Sequence, residues 1–146
     1  MKDLIYLFPI VLFVNCASFA QTSLVSQGAD WKYLDDGSDQ GTAWTASGFD
    51  DSSWSSGPAQ LGYGDGDEVT VVGYGPDEND KYITTYFRHM FTVNNAEDIQ
   101  TLTFSLKRDD GAVVYLNGNE VIRSNMPSGA VHYDTFASTT AGSGEE

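Results

Sequence analysis

Cysteine is nearly missing from this sequence: Cys16 is the only one, and it lies just past an apolar run near the N-terminus. Beyond Cys16 no thiol remains, which excludes disulfides, thiolate catalysis and cysteine-ligated zinc from the body of the chain. Basic residues are scarce too, with seven Lys and Arg against 21 Asp and Glu and a formal charge of −14. Such a surface repels phosphate backbones and anionic lipid, and no basic stripe offsets it, so nucleic acid is not an expected partner. Histidine occurs only as His89 and His132. No third nitrogen or thiolate ligand stands near either one in sequence, and the expectation is a half-buried, hydrogen-bonded histidine, not a metal ligand or base. There is no Gly-x-Ser-x-Gly elbow and no phosphate-cradling glycine loop.

Long apolar runs are limited to one, at residues 4–14. Lys2 gives it a short basic start, and Ser18-Phe19-Ala20 places small residues where a signal peptidase needs them, before Gln21. The run is too short, and too soon followed by polar residues, to span a membrane. The expectation is a signal peptide at residues 1–20, secretion to the extracellular space or cell surface, and no membrane partner after cleavage. A lipoprotein anchor at Cys16 fits less well, because Asn15 stands where such sites prefer a small residue. Cleavage removes one Lys and one Asp and leaves the net charge unchanged. Residues 21–146 suit one domain with one core.

A sustained helical period with caps is also lacking. What the chain does have is Gly, Ser, Thr, Asp and aromatic residues, with β-branched runs between turn clusters, which is an all-β signature. Leu24-Val25 and Trp31-Lys32-Tyr33-Leu34 read as early strands. A long turn-rich region follows at residues 35–80, with extended pieces near 60–63 and 69–72. Residues 83–93 form a long strand candidate, in which alternation puts Thr85, Phe87, His89, Phe91 and Val93 on the expected core face. Residues 94–98 turn the chain into a strand carrying Leu102, Phe104 and Leu106. The clearest signal is Val113-Val114-Tyr115-Leu116 followed by Asn117-Gly118 and Glu120-Val121-Ile122-Arg123. Asn and Gly both accept the positive φ of a type I′ turn, so a two-residue hairpin is expected there. Asp109-Asp110-Gly111 reads as a turn, since adjacent strand carboxylates point to opposite faces and do not converge as an acid/base pair. Residues 138–146 read as a loop entering something further, so the sandwich is expected to be truncated at its C-terminal strands.

Trp44, then Phe49-Asp50-Asp51-Ser52-Ser53-Trp54 with Gly57-Pro58-Ala59 and Leu61-Gly62-Tyr63-Gly64, resembles the first half of galactose-binding-domain-like jelly rolls. Tyr86-Phe87-Arg88, Phe91-Thr92-Val93, Asp109-Asp110-Gly111 and Val114 to Val121 resemble the second half, in order. The arrangement is similar to the sugar-binding domain of β-galactosidase-type glycoside hydrolases. It is also similar to modules of secreted bacterial proteins that sit beside metallophosphoesterase, lamin-tail or spore-coat-kinase-like domains. The resemblance spans residues 31–136 and implies an all-β jelly-roll β-sandwich; it implies the ligand poorly, because such modules include carbohydrate binders and structural neighbours of enzymes.

Two sets of candidate site residues follow. Sugar C–H faces stack on aromatic rings while polar neighbours fix the hydroxyls, so Tyr63, Tyr74, Trp44 and Trp54 are candidate glycan-binding residues. For Trp44 and Trp54 the competing expectation is that they anchor the long loop region onto the core. Asp65, Asp67, Glu68, Asp77 and Asp80 are candidate calcium ligands, because hard calcium takes several carboxylate and carbonyl oxygens from flexible glycine-bearing loops. Neither acidic run has EF-hand spacing, and solvated turn residues are an equal expectation. The function expected is a non-catalytic accessory module of a secreted multidomain protein. It would bind a glycan or pack against a neighbouring catalytic domain of the same chain. The alternatives are the N-terminal part of an extracellular hydrolase, with its metallophosphoesterase or glycoside hydrolase domain beyond residue 146, and a structural cell-surface spacer.

Overall fold

The structure is a computed structural model that describes residues 22–64 and 66–140. The expected signal peptide, Asp65 and the last six residues of the chain lie outside the described residues. Regular structure runs in the order β1 (Asp30–Leu34), a 3-10 turn (Ala43–Thr45), β2 (Ser55–Pro58), β3 (Leu61–Gly62), β4 (Thr70–Val71), β5 (Tyr86–Arg88), a second 3-10 turn (Ala96–Asp98), β6 (Ala112–Leu116) and β7 (Asn119–Ser124). The described residues are β-rich with almost no helix, and among them no helix is long and apolar enough to cross a membrane.

The strands pair into three small sheets. β1 is central in the first, antiparallel to β2 through Trp31 and Gly57 and to β5 through Tyr33 and Phe87. β2 is made of small residues, and Pro58, which has no N–H to give a ladder, stands at its end. Gly57 is buried there with the Thr70 side chain lying where a Cβ would go, and Thr70 Oγ1 donates to the Pro58 carbonyl at 2.8 Å. That close approach joins the first sheet to the second, a parallel pair of β3 and β4. The third sheet is the expected hairpin of β6 and β7. Asn117 (φ 50°) and Gly118 (φ 83°) form its turn, and Leu116 faces Asn119 across it. A bulge follows at once: Tyr115 pairs with Glu120 and Val114 with Ile122, leaving Val121 without a partner in the ladder.

The core is small and aromatic. Trp54, Val72 and Tyr86 are its buried apolar members. Trp54 meets Phe49 edge-on at 5.7 Å, and Trp44 meets Tyr86 at 5.0 Å and Tyr115 at 5.6 Å in the same manner. Trp44 thereby links the first sheet to the hairpin. The sequence of the intervening turn explains how Trp54 reaches the core. Asp50 Oδ1 accepts from the Ser52 N–H at 3.0 Å, an Asx turn, and the Trp54 N–H donates to the Asp51 carbonyl at 3.0 Å. Arg88, only 9 % exposed, closes the cluster: Nε donates to Asp51 Oδ2 at 2.8 Å, Nη1 donates to the Trp44 and Ala46 carbonyls, and the guanidinium lies 5.2 Å from the Phe49 ring.

Three expectations about strands are corrected. Leu24-Val25 is a bend, not a strand. Of residues 83–93 only Tyr86–Arg88 is a strand, because only that stretch finds a ladder partner, in β1. Residues 101–107 form no ladder among the described residues, and Leu102, Phe104 and Leu106 are exposed. Apolar alternation specifies a face to bury, and a strand also needs a neighbour to take its backbone hydrogen bonds. The expected core face is corrected as well. At β5 the buried residues are Tyr86 and Arg88, on the opposite face from half-buried Phe87, because the Trp44–Trp54 loop folds over that side.

Candidate functional site

β3 and β4 run parallel, pairing Leu61 with Thr70 and Gly62 with Val71, so they leave the sheet at the same end. The Val72 N–H donates to the Gly62 carbonyl at 3.0 Å and keeps the two exits together. Tyr63 follows β3 and Tyr74 follows β4, and this common exit brings their rings to 5.1 Å between centroids, tilted by 57°. Tyr74 is 36 % exposed and Tyr63 is half-buried. The loop after Tyr74 returns at once. Asp77 Oδ1 accepts from the Asn79 N–H at 2.9 Å, and the Tyr82 N–H donates to the Tyr74 carbonyl at 2.9 Å. That return carries Lys81 over the pair, with Nζ at 4.8 Å from the Tyr63 ring centre and 5.2 Å from that of Tyr74.

The surroundings of this pair are anionic. Partial burial pushes the Tyr63 hydroxyl above its ordinary ionisation range, and the nearby Asp109 and Asp110 carboxylates add to the shift. The turn before β6 therefore lies close enough for its charge to be felt at Tyr63. Asp109-Asp110 is a bend, as expected, with Asp110 at φ 48° and its N–H donating to Asp109 Oδ1 at 2.8 Å. An open cleft of about 530 Å³ adjoins the tyrosine pair and shares Lys81 with it; Asp77, Asp80, Tyr82, Tyr133 and Asp134 also line it. A second depression of about 450 Å³ is more apolar and is lined by Trp44, Phe91, Val93, Leu102 and Leu116, among others.

The four aromatic candidates thus divide. Tyr63 and Tyr74 come together at the surface. Trp54, at 5 % exposure, is packed between Phe49 and Tyr86 and has no ring face for a ligand. Trp44 is half-buried, with its ring against Tyr86 and Tyr115 and its edge on the apolar depression. Both tryptophans hold the loop region on the core.

The acidic candidates are held by turns. Asp67 accepts from Gln60 Nε2 at 3.2 Å and pairs with Lys107 at 3.3 Å, and Glu68 accepts from the Gly66 N–H at 2.9 Å. Asp77 caps its own turn, and the Asp80 N–H donates to the Asp77 carbonyl at 3.1 Å. Among the described residues, no three His, Asp or Glu side chains gather as a metal cluster; Asp65 lies outside those residues. His89 is half-buried, with Nδ1 at 2.8 Å from the Asp30 carbonyl oxygen and its ring 5.0 Å from Trp31.

Sequence reasoning missed Lys81, whose only signal was its place at the end of an acidic turn, and missed the approach of Asp109 and Asp110 to Tyr63. Comparison with protein-family models, with curated proteins and with solved structures finds no match to this chain.

Proposed function

We propose that residues 21–146 are a non-catalytic binding module of jelly-roll type, an accessory part of a secreted protein, and that it holds a glycan at Tyr63 and Tyr74. The observation that carries this reading is the pairing of two tyrosine rings at the shared exit of β3 and β4, 5.1 Å apart and beside carboxylate-bearing turns. A sugar ring presents C–H groups to such aromatic faces and hydroxyls to such carboxylates, and two tilted rings give a curved seat for one pyranose and its neighbour. The test is retention of the purified protein by a panel of immobilised or gel-embedded polysaccharides. Retention that is lost in Tyr74→Ala with the circular dichroism unchanged supports the site.

A second reading has its own observation. Met90 (64 % exposed), Leu102, Phe104 and Leu106 form an exposed apolar series beside the 450 Å³ depression. Exposed apolar patches of this kind mark surfaces that pack against another domain. In this reading the module docks on a neighbouring catalytic domain through residues 90–106. The checking measurement is limited proteolysis at Lys107 and Arg108: cleavage in the isolated module with protection in the full secreted product supports docking, and equal cleavage in both opposes it.

A further inference from the structure

We propose that the sugar seated on Tyr63 and Tyr74 carries a protonated amine, and that the Lys81 side chain is a tethered stand-in for that group. The inference rests on the glycan reading of this pair and adds the class of sugar.

The starting observation is that an ammonium already sits there. Lys81 Nζ lies 4.8 Å and 5.2 Å from the two ring centres, inside the distance at which a cation is attracted to the negative face of an aromatic ring. Every other cation among the described residues is engaged by an oxygen: Lys32 by the Trp54 carbonyl, Arg88 by Asp51, Lys107 by Asp67, Arg108 by Ser124 and Arg123 by Glu120. In a chain of 21 Asp and Glu, Lys81 among those residues has ring faces in place of a carboxylate. The two rings together therefore hold an ammonium at cation–ring distance.

Two further features make Lys81 displaceable. Its side chain is exposed, so its hold on the rings is of the weak, solvent-screened kind. It also lines the adjoining cleft with Asp77 and Asp80, which offers its ammonium a carboxylate-bearing alternative when it leaves the rings. A neutral sugar that pushed Lys81 aside would forfeit the cation–ring attraction. An amino sugar restores it with its own ammonium, while its C–H face stacks on the tyrosines and the Asp109 and Asp110 charges favour its approach. An anionic sugar meets those same charges with the wrong sign.

The experiment is calorimetric titration of the intact protein with three soluble β-1,4-linked trisaccharides, of glucosamine, N-acetylglucosamine and glucose, in slightly acidic buffer that keeps the amine protonated. The glucosamine trisaccharide is expected to bind on the order of two- to fivefold more tightly than either neutral one, the worth of one exposed cation–ring contact. Lys81→Ala, which empties the seat, is expected to tighten it by a similar factor, and Tyr63→Ala and Tyr74→Ala to abolish it. A neutral trisaccharide bound as tightly as the amine overturns the inference and leaves the glycan reading standing. Absence of amine binding also overturns it, and retention on the polysaccharide panel then judges the glycan reading separately. Amine binding that survives both tyrosine substitutions but disappears in high salt is diffuse attraction to an acidic surface, and likewise overturns it.

Discussion

Arg88 Nε donates to Asp51 Oδ2 across 2.8 Å, and this part-buried ion pair ties strand β5 to the turn that delivers Trp54 to the core. The same guanidinium satisfies the Trp44 and Ala46 carbonyls, so one side chain fastens both ends of the loop that carries the two tryptophans. Replacing Arg88 by Met removes the partner of the half-buried Asp51 carboxylate and the donor to two carbonyls. The expected cost is about 1–3 kcal/mol, the usual scale for leaving hydrogen-bonding groups without their partner, read as a lower denaturation midpoint in urea. Arg88→Lys is expected to recover little of it, because an ammonium cannot reach three acceptors in that fork geometry. An unchanged midpoint in Arg88→Met would remove the clamp from the account.

Gly57 faces Thr70 with no room for a side chain. Gly57→Val is expected to separate β2 from β4 and to destabilise by about 1–3 kcal/mol, the usual cost of overpacking. Thermal unfolding checks it. The paired substitution Thr70→Ala should restore part of the loss, since it removes the side chain that the new one meets.

Asp36 is held below its ordinary value of 3.8, first by the Ser38 hydroxyl and then by the Ser38 N–H, at 2.5 Å and 2.9 Å. A carboxylate with a depressed native value stabilises the fold above its unfolded value and loses that contribution as pH falls through the native one. Wild type is therefore expected to melt above Asp36→Ala at neutral pH, with the difference shrinking below about pH 4. A difference that stayed constant down to strong acid would contradict this role for the turn.

Tyr63 gives a probe of its own surroundings. Its hydroxyl is raised by burial and then by Asp109 and Asp110, so the neutral phenol is favoured in the fold and its contribution is lost only as pH rises through that raised value. Ultraviolet titration should show late ionisation by Tyr63 and also by Tyr86, whose hydroxyl burial raises as well. Tyr63→Phe should delete one late step and leave that of Tyr86, and Asp109→Asn should move the Tyr63 step to lower pH. A Tyr63 step that ignores Asp109 would mean the turn before β6 lies farther from Tyr63.

The legible parts of the fold were those specified by a few adjacent residues. Asn117-Gly118 demands two positive φ values and dictates a two-residue reversal whatever surrounds it, and the Trp31 strand and the short pieces expected near 60–63 and 69–72 stood between clear turn residues. Residues 83–93 and 101–107 misled because alternation says which side chains share a face and nothing about which strand lies alongside. Their inner face was also misjudged, since the loop that covers Tyr86 and Arg88 comes from residues 44–54, more than thirty positions upstream. Tyr63 and Tyr74 were recognised singly from their glycine-flanked loops. Their meeting depends on the parallel pairing of two-residue strands, which leaves no periodic trace in the sequence, and so does the placement of Lys81 over both rings.

The most direct measurement of the central claim is affinity electrophoresis of the folded protein and of Tyr63→Ala and Tyr74→Ala through gels containing a panel of soluble polysaccharides. At least one polysaccharide is expected to retard the wild type, with both variants migrating freely in it while keeping the wild-type circular dichroism. Retardation of all three proteins alike, or of none on any polysaccharide, would contradict glycan binding at this pair of tyrosines.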